Sequence, residues 1–159
     1  AISDTFVTFP LYNLSGQYVG FQQYNPLGSK QYRGDPREGK YFTFISKPDL
    51  KNPYVTAWGL ERLNPNNKRL YLLEGVFKAC RFHNYNLNAL ATLSNNPLHL
   101  RNWFYSLGYE LYTVCDGDAA GRQLAKFGHH SCILPDGQYV DEMSVDEFDQ
   151  LIKKLEETI

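Results

Sequence analysis

The chain has 159 residues, 43% of them hydrophobic and 15% aromatic, enough for a packed core in one domain with at most a small appended lobe. No apolar run approaches the ~20 residues that span a bilayer, so no membrane association is expected. The net charge of -1 hides an asymmetry: residues 1–70 carry nine Lys/Arg against five Asp/Glu, and residues 71–159 carry seven against twelve. A basic front and an acidic back suit a polyanion held by one part and a metal held by the other, although ordinary surface variation gives the same numbers.

Phe6–Phe9 and Tyr18–Tyr24 are short strands separated by the turn signal Asn13-Leu-Ser-Gly16, so a hairpin is expected. Residues 25–40, rich in Gly, Pro and charge, form a loop, and Tyr41–Ile45 is a further strand. The breaker Asn64-Pro-Asn-Asn67 sets the boundary between a lobe of residues 1–66 and a domain of residues 67–159. Beyond it strands and helices alternate. Leu70–Leu73 is a strand, Gly75–Phe82 a helix and Asn88–Leu93 a strand. Asn96-Pro97 offers a helix start and Gly108 a stop. Leu111–Cys115 is a strand, Ala120–Phe127 a helix and Ser131–Leu134 a strand. Ser144 and Glu147 form a capping box, and Val145, Phe148, Leu151, Ile152 and Leu155 recur behind it at helical spacing. This alternation predicts an α/β domain with a parallel-rich sheet and flanking helices, preceded by a small, mixed, strand-rich basic lobe.

Cys80, Cys115 and Cys132 are odd in number and form no Cys-x-x-Cys pair, so neither a zinc site nor a disulfide framework is expected, and a reducing cytoplasm is the natural compartment. The chain opens on Ala1 rather than Met, as a processed product or a fragment would.

The chemistry is concentrated in two acidic motifs. Leu70-Tyr-Leu-Leu-Glu74-Gly75 ends one apolar strand, and Leu111-Tyr-Thr-Val-Cys-Asp116-Gly-Asp118 ends another. Sites in parallel sheets form at the carboxyl ends of strands. If these strands are neighbours, three carboxylates converge, and like charges at close quarters call for a cation. Hard oxygen ligands of this kind suit Mg²⁺ chemistry on phosphates. Taken singly, Glu74 is equally well read as a solvated acid at a helix start, and Asp118 as an N-cap.

Tyr71-Leu-Leu-Glu74-Gly75 together with Val114-Cys-Asp116-Gly-Asp118-Ala-Ala-Gly121 resembles the Toprim domain of primases, topoisomerases, OLD-type nucleases and recombination mediators. Phe9–Phe21, Gly39-Lys40-Tyr41-Phe42, Trp58-Gly59-Leu60, Leu134-Pro135 and Asp141-Glu142 resemble further segments of the catalytic core of bacterial and phage DNA primases, so the similarity covers nearly the whole chain. The resemblance implies metal-dependent synthesis of short RNA primers on single-stranded DNA from ribonucleoside triphosphates during replication. It implies that Glu74 orients the site or acts as a general base, and that Asp116 and Asp118 bind Mg²⁺ or Mn²⁺. Asp141 would be an accessory metal-site acid, and Lys40 and Arg33 would hold template or nucleotide phosphate. A replicative helicase is a further partner it allows.

Two positions depart from the primase pattern. Lys78 stands where an acid usually follows the Glu-Gly motif, and Tyr139 stands where a first distal Asp is expected. The chain contains no Cys-rich zinc segment and no Gly-x-x-x-x-Gly-Lys, which suits a core fragment or a reduced, phage- or plasmid-borne relative. Two other functions compete: a Toprim nuclease, which would not need the primase-like lobe, and a non-catalytic DNA- or partner-binding module, which the two departures keep open. Tyr12, Tyr18, Phe21, Tyr24, Tyr32 and Tyr41 are candidates for stacking on bases, or simply core. Asp116→Ala with Asp118→Ala is expected to abolish activity and leave the fold intact.

Overall fold

The computed structural model describes residues 6–30, 34–49 and 51–158, in two compact units, Ala1–Glu61 and Arg62–Ile159.

The first unit is an antiparallel sheet of β1 (Val7–Tyr12), β2 (Tyr18–Tyr24) and β3 (Tyr41–Ile45), in that order. The expected turn joins β1 to β2: the Asn13 side chain accepts from the backbone N–H of Ser15 and Gln17 at 3.1 and 2.9 Å, and Gly16 takes a φ of +80°. β1 runs past Phe9, where the sequence reading stopped it. Pro10 lacks an N–H and so ends most strands, but β1 is an edge strand and tolerates it. Thr56 Oγ1 donates to the Tyr12 carbonyl at 2.7 Å and ties the later chain to β1. The aromatic side chains of this unit meet one another across strands: Tyr24 and Tyr41 lie 5.3 Å apart, Phe21 and Phe44 5.6 Å apart. Tyr32 lies outside the described residues.

The second unit is a four-stranded parallel sheet, ordered β5-β4-β6-β7, made of β4 (Arg69–Leu73), β5 (Ala89–Ala91), β6 (Glu110–Cys115) and β7 (His130–Ile133). Its flanking helices are α1 (Val76–Asn84), α2 (Arg101–Ser106) and α3 (Val145–Glu157). The central strands β4 and β6 are buried on both faces, as near-continuous apolar runs should be. Phe82 on α1 packs against Tyr71 of β4 at 5.0 Å and edge-on against Phe148 of α3 at 5.3 Å, which welds two helices to the sheet. Phe82 is fully buried, so Phe82→Ala is expected to cost about 3–5 kcal/mol in urea denaturation. A loss below about 1 kcal/mol would mean that this three-ring contact is not the core.

The Ser144 cap forms as expected, its hydroxyl accepting from Glu147 N at 3.2 Å. Phe148, Leu151, Ile152 and Leu155 are buried, but Val145 is exposed, because it sits in the first turn before the helix meets the sheet. Gly108, with φ +80°, follows α2 as its stop. Residues Gly121–Phe127, expected as an α-helix, wind instead as a 3₁₀ helix, with Gln123 N donating to the Ala120 carbonyl at 3.1 Å. Arg62, Lys68 and Arg69, counted with the basic front, belong to this second unit. Arg69 lies 5.0 Å from the Tyr112 ring and donates to the Leu155 carbonyl at 2.9 Å, fixing the end of α3. Burial pushes all three cysteine thiols above their ordinary value. No helix among the described residues is long and apolar enough to cross a membrane.

Candidate functional site

β4 and β6 are hydrogen-bonded neighbours, with Leu72 opposite Thr113. This register sets Glu74, just past β4, and Asp116, just past β6, at the same carboxyl edge of the sheet. Asp118 follows at the start of the turn into the 3₁₀ helix. β5 extends the same edge: Leu93 N donates to the Glu74 carbonyl at 2.9 Å, and Thr92 N to the Leu73 carbonyl at 2.8 Å. Leu93 adopts φ +64°, a left-handed conformation that costs an ordinary residue roughly 1–2 kcal/mol. Strain of this kind collects where a fold must turn sharply beside a site.

The two departures noted in the sequence both fall on these acids. Lys78 lies in the first turn of α1, which begins directly after Glu74-Gly75. Its Nζ donates to Asp116 Oδ2 at 2.7 Å, and the side chains are only 14% and 6% exposed. Burial pushes the Asp116 carboxyl above the ordinary carboxylate range, and the Lys78 ammonium pulls it part of the way back. Burial also works against the Lys78 charge. Its bond to Asp116, with further attraction from Asp116, Asp141 and Glu74, nonetheless carries its pKa above the ordinary lysine value. We read the pair as ionic at neutral pH, because each group has its opposite charge at contact distance. Tyr139 donates its hydroxyl to Asp118 Oδ2 at 3.1 Å, and that bond holds the phenol above its ordinary pKa. The other Asp118 oxygen, Oδ1, accepts from Gly121 N at 2.6 Å.

The distal segment reaches the acids by close backbone contact. Gly117 N donates to the Gln138 carbonyl at 2.9 Å, and Gly137 N donates to the Gly117 carbonyl at 2.8 Å. Arg81, one turn along α1 from Lys78, donates to the carbonyls of Val140 and Met143 at 2.8 and 2.6 Å and lies 4.4 Å from the Phe148 ring. Asp141 is exposed, in the turn Val140–Glu142 between these anchors, whose Val140 is buried, and it lies near enough to add its charge to the surroundings of Lys78 and Asp116. Nothing in the sequence singled out Arg81, whose carbonyl and ring partners all lie more than 50 residues away.

The donor chemistry of Glu74, Asp116, Asp118 and Asp141 suits a hard cation, but their arrangement does not. Lys78 is bonded to Asp116, and both Asp118 oxygens already accept hydrogen bonds. Among the described residues, no three His, Cys, Asp or Glu side chains gather closely enough to hold a metal ion. The expected set is therefore not a ready-made Mg²⁺ or Mn²⁺ site.

Lys40 belongs to the first unit. It is half-buried just before β3, with its backbone tied to Ser29 and Asn25 at 3.2 and 2.8 Å. Arg33 lies outside the described residues.

The helix-flanked parallel sheet of the second unit and the small antiparallel sheet of the first match the fold of DnaG primase catalytic cores, Toprim-containing RNA polymerase domains. Over 96% of its length the chain superposes on a DNA primase domain from Pseudomonas aeruginosa, with a TM-score of 0.70 and 20% identity. It covers 51% of that structure. Over 94% it superposes on the RNA polymerase domain of Mycobacterium tuberculosis primase DnaG, with a TM-score of 0.68 and 20% identity, covering 54% of that chain. The same domain in complex with double-stranded DNA matches at a TM-score of 0.64 and 19% identity over 94% of this chain, which covers 52% of it. The chain thus spans about half the length of the solved structures it matches. No protein-family model matches the sequence, and no curated protein does.

Proposed function

We propose that the chain is the core of a primase-type nucleotidyltransferase, which joins ribonucleotides into short primers on single-stranded DNA. The observation that carries this reading is the placement of Glu74, Asp116 and Asp118 at one carboxyl edge of adjacent parallel strands, on a fold shared with primase cores. In that reaction a 3′-hydroxyl attacks the α-phosphate of a ribonucleoside triphosphate, and pyrophosphate leaves. In this reading Glu74 orients the site or takes the hydroxyl proton as general base, and Lys40 holds template or nucleotide phosphate in the first unit. The DNA complex of the Mycobacterium tuberculosis neighbour supports a DNA partner. A replicative helicase is a further partner under this reading. We derive no step through a metal ion, because the acids do not fit one as they stand.

A second reading has an observation of its own. Lys78 on Asp116 and Tyr139 on Asp118 engage both acids of the Asp-Gly-Asp motif, as suits a module that binds nucleic acid without chemistry.

Primer synthesis on single-stranded DNA, with labelled ribonucleotides and Mg²⁺ or Mn²⁺, separates the readings. Short labelled products are expected, with a loss of about 10²–10⁴-fold in Glu74→Gln, the range for removing a general base. Metal-dependent loss of the template without products would instead identify a nuclease. Retained DNA binding with neither would establish the non-catalytic module.

A further inference from the structure

We propose that Lys78 is the resident cation of this acidic centre: at Asp116 its ammonium takes the place that a divalent ion would take, so that a metal ion is excluded there. Four observations point the same way. Lys78 Nζ lies 2.7 Å from Asp116 Oδ2, a contact that sets a full positive charge against that oxygen. The two side chains are 14% and 6% exposed, so this is not one of the loose surface pairs that contribute little. The ammonium also feels Asp141 and Glu74, as an ion placed among these acids would. The companion acid Asp118 is likewise engaged, by the Tyr139 hydroxyl and the Gly121 N–H.

The electrostatics give the replacement its logic. A cluster of carboxylates at a sheet edge repels itself until a cation neutralises it, and a metal is the usual means. An ammonium fixed to α1 does the same with one positive charge instead of two, and it does not dissociate. A divalent ion approaching Asp116 would meet that ammonium at contact range, and repulsion between like charges in a partly buried site is strong. The centre therefore tolerates its own acids without metal, at the cost of an open coordination site on Asp116. The inference stands on the geometry of Lys78 and does not depend on whether the chain makes primers.

Ion uptake by the full chain tests it, read from the electron paramagnetic resonance signal of free Mn²⁺ and from thermal melting with and without Mn²⁺. Wild type is expected to take up Mn²⁺ only weakly. Lys78→Asp, which exchanges the ammonium for a carboxylate, is expected to bind Mn²⁺ at least about tenfold more tightly and to melt higher when Mn²⁺ is added. The gain should vanish in Lys78→Asp with Asp116→Asn. Lys78→Met removes the charge without adding an acid, and it serves if Lys78→Asp does not fold. Wild-type binding as tight as that of either folded variant, lost in Asp116→Asn, would overturn the proposal. So would folded variants that bind no better than wild type.

Discussion

Asp116→Ala is expected to lower the stability of the chain by about 3 kcal/mol, the lower end of the range for leaving one partner of a buried ion pair alone. The lower end applies because Lys78 keeps 14% exposure and can turn its ammonium toward water. Urea midpoints at constant slope would measure it. Replacing both partners together, Lys78→Met with Asp116→Leu, is expected to be nearly neutral, since paired apolar side chains of similar volume often match a buried pair. If Asp116→Ala loses less than about 1 kcal/mol, the pair is not the buried contact described here. This has a practical corollary for enzymology. The Asp116→Ala, Asp118→Ala double variant, expected from sequence to leave the fold intact, also orphans a buried ammonium. Loss of activity in it would mix a chemical defect with a folding defect, so Glu74→Gln is the cleaner control.

Gly117→Ala should be the most damaging small substitution near the site. A Cβ there would lie 1.9 Å from the Pro135 carbonyl oxygen, 2.8 Å from Pro135 C and 3.0 Å from Gln138 N. These are backbone atoms, and the two hydrogen bonds between Gly117 and residues 137–138 hold them in place. The distal segment would have to move away, drawing Tyr139 off Asp118. The expected cost is about 3 kcal/mol, at the upper end for overpacking, with faster hydrogen exchange at Gly137 and Gly117. Gly75→Ala supplies the comparison. Nothing lies within 4 Å of a Cβ at Gly75, and its φ of -118° suits any residue. A change within about 0.5 kcal/mol is expected there. Equal effects at the two glycines would remove the close-approach argument.

The parallel domain was readable because its signals are local. Apolar runs mark β4 and β6, Gly108 marks the end of α2 and Ser144 the start of α3. The rule that sites gather at carboxyl ends pointed to Glu74 and Asp116 but left the adjacency of β4 and β6 as a condition, which the register meets by placing both acids at one edge. The contacts of Lys78 and Tyr139 were not readable. Sequence marked both positions as unusual but not where the side chains point, and their partners lie 38 and 21 residues away. β1 ran on past its expected end because an edge position removes the penalty a proline normally carries. The 3₁₀ winding of Gly121–Phe127 was hidden for a related reason. Gly121 packs so closely that a Cβ would fall 2.7 Å from the Asp116 side chain, and no periodicity in the sequence reports such a contact.

Arg81 gives the centre a mechanical character. Lys78 fastens α1 to the end of β6, while Arg81, a turn further on, fastens the same helix to the carbonyls of the distal turn. The helix is braced at two points against two different segments of chain, so it cannot tilt toward one without straining its attachment to the other.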